Sequence, residues 1–83
     1  MAAEKFHTWV KVNDTLLSHH GKKLYDWVVV VYRADTKVVW KTYFASTAAL
    51  GEKKAKAEIT LQRRYSPNPY AAHVMKNGSS VTI

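Results

Sequence analysis

Residues 5–13, KFHTWVKVN, alternate between two kinds of side chain. Successive strand side chains point to opposite faces, so Phe6, Thr8, Val10 and Val12 share one face and Lys5, His7, Trp9, Lys11 and Asn13 the other. The first set suits a sheet's core; the second mixes cations with flat rings. LYDWVVVVYR, residues 24–33, breaks the alternation with four consecutive valines between Trp27 and Tyr32. Such a run predicts a strand covered on both sides, central in a sheet or lying under a helix. After the polar turn ADTK, residues 38–45 (VVWKTYFA) read as the return strand, with Val38, Trp40, Thr42 and Phe44 on one face and Val39, Lys41 and Tyr43 on the other. DTLLSHHGKK, between the first two strands, reads as a loop with a helical turn around Leu16 and Leu17.

Ser46 and Thr47 are both good N-caps, and AALGEKKAKAEITLQRRY after them is rich in helix formers. Leu50, Ala57 and Leu61 fall on one face with Tyr65 at its margin, while Gly51 weakens the first turn and moves the expected start toward Glu52. Residues 57–62 also alternate at period two, but EKKAK has no strand character, and the helix is preferred. Pro67 and Pro69 stop it. Asn77-Gly78, between HVM and VTI, is a short hairpin signal. The expected fold is a single α+β domain over residues 1–83: a three- to four-stranded antiparallel sheet packed against one helix, with a C-terminal hairpin. Its expected core is Phe6, Val10, Val12, Val28, Val30, Trp40, Phe44, Leu50 and Leu61.

Composition narrows the chemistry. The chain has 83 residues, 47% hydrophobic and 23% charged, which are ordinary globular proportions for one small domain. With no cysteine, disulfides, Cys-ligated zinc and thiol catalysis are excluded, and the expected compartment is intracellular, the cytoplasm. No apolar run approaches the ~20 residues of a membrane span. Thirteen Lys and Arg against six Asp and Glu give a formal charge of +7, which points to an anionic partner: nucleic acid, an acidic protein surface or anionic lipid.

Catalytic parts are few. His19 and His20 are adjacent in the presumed loop, and Asp14 and Asp26 are the nearest candidate co-ligands, with nothing to fix their distance. Glu52 and Glu58 face different ways on the helix, and three glycines build no phosphate loop. No metal, no cofactor and no enzymatic activity are expected.

The electrostatic constellation is richer. With regular alternation, Lys5, His7, Trp9 and Lys11 share a sheet face with Lys37, Lys41 and Tyr43, joining cations for phosphates to rings for bases. Trp9 and Tyr43 packing together across strands is the competing expectation. Lys53, Lys54, Lys56, Arg63 and Arg64 form a second basic cluster, its first members placed to use the helix N-terminus. GEKKAKAEI resembles the helix start of double-stranded-RNA-binding domains, in which paired lysines precede an alanine-rich helix. A three-stranded sheet followed by one helix is similar to the DNA-binding domains that read the major groove with a sheet. Both likenesses imply nucleic acid as partner, and neither transfers site residues.

The leading expectation is therefore a non-enzymatic nucleic-acid-binding protein. The alternative is a phage- or mobile-element-encoded inhibitor, anti-CRISPR-like, that occupies an acidic surface of a larger protein complex. Self-association into a homo-oligomer is a third.

Overall fold

The computed structural model describes residues 6–83. It contains β1 (Phe6–Val12), β2 (Thr15–Gly21), β3 (Trp27–Arg33), β4 (Val39–Ala45), α1 (Ala48–Tyr65), β5 (Tyr70–Lys76) and β6 (Ser80–Val81). The strands make two three-stranded sheets, ordered β2-β1-β6 and β4-β3-β5. The fold is mixed α+β in three layers: the first sheet packs on one face of the second, and α1 packs on the other.

The segment read as a loop is β2. Asn13 and Asp14 have φ of 48° and 66°, the conformation of a two-residue hairpin turn, and short polar side chains tolerate it. β1 and β2 then pair antiparallel from Val12–Thr15 to Phe6–Gly21. The Asn77-Gly78 turn also forms, with Ser79 N–H bonded to the Lys76 carbonyl at 3.1 Å and Gly78 at φ 84°. It does not make a C-terminal hairpin. The turn carries the chain from one sheet to the other, where β6 runs parallel to β1. Trp9 holds it there: its N–H donates to Asn77 Oδ1 at 2.9 Å, and its carbonyl accepts from Gly78 N–H at 2.7 Å.

β3 is central and buried on both faces, as its valine run predicts. Val28 and Val30 meet Val10, Val12 and Met75 between the sheets, with Leu17, Val39, Phe44 and Val81 around them. Val29 and Val31 meet Ala55 of α1, with Tyr43, Tyr70, Ala72 and Val74 at the margin.

The expected core differs in three places. In β4 the register slips, so that Val31 faces Lys41 and Tyr32 faces Val39. Trp40 is the extra residue of this β-bulge, which ends the alternation. Trp40 consequently leaves the inter-sheet core for the helix side and is 50% exposed. In α1 the buried residues are Gly51, Ala55 and Glu58, not Leu50 and Leu61. A Cβ at Gly51 would lie 3.1 Å from both Val29 Cγ2 and Val74 Cγ1, so small side chains let the helix approach the valine floor closely. Phe6 shares the parity of Val10 but lies 39% exposed at the strand's start.

The helix begins at Ala48, with Thr47 as N-cap accepting from Leu50 N–H at 3.2 Å. Residues 57–62 are helical, which disposes of the strand reading. No helix among the described residues is long and apolar enough to cross a membrane.

Candidate binding surface

The two rows expected to share one sheet face lie on different layers. His7, Trp9 and Lys11 stand on the outer face of the β2-β1-β6 sheet beside their cross-strand partners His20, Ser18 and Leu16. His7 and His20 stack there with centroids 4.1 Å apart. Trp9 is half-buried, its ring beside the Gly78 turn, where a Cβ would sit 3.8 Å from Trp9 Cζ2. Lys5 lies outside the described residues.

Lys41 and Tyr43 stand on the helix side of the other sheet, across the inter-sheet core. Trp9 and Tyr43 therefore neither pack together nor share a surface, and the composite basic, aromatic face does not form. Lys37 belongs to neither row. It sits in the β3–β4 turn at φ 63°, its amine 5.9 Å from the Tyr32 ring centroid.

Lys41 and Tyr43 are also occupied. Glu58 is 6% exposed and gathers four donors: the Tyr43 hydroxyl at 2.8 Å, Gln62 Nε2 at 3.0 Å, the Trp40 indole N–H at 3.2 Å and Lys41 Nζ at 3.5 Å. The bulge makes this possible by turning Trp40 and Lys41 to the same side. Burial pushes the Glu58 carboxyl up, but the three hydrogen bonds and the Lys41 charge outweigh it and hold the group below its ordinary value. Burial, then the hydrogen bond to this carboxylate, pushes the Tyr43 hydroxyl up. Glu58 is a satisfied structural carboxylate.

The second basic cluster keeps its place. Positions 53, 56, 60, 63 and 64 fall on the side of α1 opposite the buried positions 51, 55, 58 and 62. Lys53, Lys56, Thr60, Arg63 and Arg64 are all exposed. Lys54 is set apart on the flank toward β4, its amine donating to the Phe44 carbonyl at 2.8 Å. Because α1 starts a turn earlier than expected, Lys53 and Lys56 lie inside the helix and not at its open N–H groups.

Among the described residues the ion pairs are Arg33–Asp35 and Lys41–Glu58, neither involving this stripe. Arg33 Nη2 also bonds Asn68 Oδ1 at 3.1 Å, so Arg33 ties the β3–β4 turn to the connection between α1 and β5. No cluster of three His, Cys, Asp or Glu side chains arranged for a metal occurs among the described residues.

The residues that sequence reasoning assigned to the core, Leu50 and Leu61, are instead surface residues at 46% and 42% exposure. They lie on the helix flank between the cationic stripe and β4. No family model, curated protein or solved structure matches the chain, so function rests on this geometry.

Proposed function

We propose that this chain is a small, non-enzymatic nucleic-acid-binding protein that grips phosphates with the outer face of α1. The observation that carries the reading is the stripe Lys53, Lys56, Arg63 and Arg64: four exposed cations on one side of a rigid helix, none in an ion pair among the described residues. From Lys53 to Arg64 it runs about 16 Å at the helical rise, enough to follow several phosphates. Phosphate contact needs cations in register and no preformed cavity, and Thr60 adds a hydroxyl donor between them. Contacts of this type position the protein without reading bases, so affinity rather than sequence specificity is expected. Among the described residues, His7, Trp9 and Lys11 form a separate face with one lysine and a ring backed by a turn, a poorer platform for stacking.

Amide chemical shifts recorded while a short single-stranded or duplex oligonucleotide is added test the assignment. Shifts concentrated on residues 53–64 are expected. Shifts concentrated on His7, Trp9 and Lys11, with α1 silent, would move the site to the outer sheet face.

A further inference from the structure

The flank of α1 toward β4 carries a second, chemically different surface. Leu50, Ala57 and Leu61 are exposed along it. Lys54, Ala57 and Leu61 make one wall of a groove, Tyr43 on β4 makes the other, and Glu58 lies at the floor. The groove exists because small residues draw the helix down over the Val29 and Val74 floor, while the outer part of β4 stays uncovered. Lys56 and Arg64 stand over Ala57 and Leu61 from the outer side.

We propose that this groove docks an acidic amphipathic segment of a protein partner, with apolar side chains seated on Ala57 and Leu61 in the groove and on Leu50 beyond its end, and carboxylates facing Lys54, Lys56 and Arg64. Charge complementarity selects that occupant. Among the described residues the groove's one carboxylate, Glu58, is consumed by Tyr43, Trp40, Gln62 and Lys41, so the rim they form is positive. A second copy of a +7 chain would bring like rims together. A nucleic acid offers the charge but no aliphatic anchors for the leucines. From Lys54 to Leu61 the wall runs about 10 Å, the length of two helical turns, which is the span of anchors at i, i+3, i+4 and i+7 on an amphipathic helix. This site goes beyond the phosphate stripe but shares Lys56 and Arg64 with it, so Lys53 and Arg63 on one side and Leu61 on the other are the residues that tell the two apart.

Synthetic peptides of about sixteen residues, long enough to span the wall, provide the probe. One carries leucines at the i, i+3, i+4 and i+7 positions with glutamates elsewhere, one replaces the glutamates by lysines, and one replaces the leucines by serines. The acidic leucine peptide should shift the amides of Tyr43, Leu50, Ala57 and Leu61 and bind at least about tenfold tighter than either control. Leu61→Ser should lose about tenfold or more while melting like the parent and, since it changes no charge, keeping its oligonucleotide binding. Lys53→Ala with Arg63→Ala should do the reverse, weakening oligonucleotide binding and sparing the peptide. No binding by the acidic leucine peptide would overturn the proposal. So would equal binding of the lysine peptide, a Leu61→Ser variant that binds the peptide like the parent, or an oligonucleotide that maps to the groove in its place. Groove shifts that grow with protein concentration alone would assign the surface to a second copy.

Discussion

On one side of β3, Val28 and Val30 meet the valines of a facing sheet; on the other, Val29 and Val31 meet a helix whose buried residues are Gly51, Ala55 and Glu58. The first side is closed by branched apolar side chains from two sheets. The second is closed at its centre by close approach of small residues, and at its margin by a carboxylate holding four donors. A flat sheet covers β3 and its neighbours together. A cylinder covers only what lies beneath it and leaves a groove along β4. The apolar side gives the fold its stability, and the helix side gives it its usable surface.

The largest effect should come from the inter-sheet layer. Val30 is fully buried, and Val30→Ala removes two methyl-sized groups, costing about 2–3 kcal/mol in chemical denaturation. On the helix side, Glu58→Gln should cost about 1–2 kcal/mol near neutral pH, because charge-assisted hydrogen bonds weaken. Its pH dependence has a definite sign. The folded carboxyl ionises below its ordinary value, so its stabilisation is complete above the unfolded pKa of about 4.3 and is lost as pH falls through the folded value. The gap between parent and Glu58→Gln should therefore narrow on acidification below about pH 4. A gap that stays constant down to acid pH would mean that the Glu58 charge contributes nothing. Tyr43 acts at the other end: its raised value gives stability that is lost as pH rises above about 10.

Trp40→Ala should cost only about 1–2 kcal/mol, from one indole hydrogen bond and an edge contact to Tyr70. A loss as large as that of a buried aromatic, about 3–5 kcal/mol, would put Trp40 back in the core where strict alternation places it. Leu61→Ser, at the groove wall, should change stability by less than about 0.5 kcal/mol apart from helix propensity. That variant would still lose peptide docking, separating surface from fold.

How far the sequence was readable follows the same division. The four valines announced a strand buried on both faces. The proline pair marked the helix's end and the α+β class followed, but Gly51 put its expected start a turn past Thr47, the cap it uses. Alternation failed at Trp40 because a bulge resets parity, and nothing in VVWKTYFA marks where an extra residue will be absorbed. The helix face was misread because Leu50 and Leu61 are larger than Gly51 and Ala55. The bulk of Val29 and Val74 beneath decided otherwise, and that is a property of two elements together. β2 had a local signal in Asn13-Asp14, whose short polar side chains suit a left-handed turn. Of the candidate site, the cluster Lys53, Lys56, Arg63 and Arg64 was legible from helical spacing. The joined face of His7, Trp9 and Lys11 with Lys41 and Tyr43 was not real, because it assumed one sheet where the chain makes two.

The central claim, phosphate binding along the outer face of α1, is tested most directly by oligonucleotide affinity measured across a range of salt concentrations. The parent should show log affinity falling linearly with log salt, and changing Lys53, Lys56, Arg63 and Arg64 together to alanine should reduce that slope by about three to four units on a duplex. Lys11→Ala should reduce it by less than one unit. A parent with no salt-sensitive binding to DNA or RNA at low ionic strength, or a fourfold variant with the parent's slope and affinity, would contradict the account.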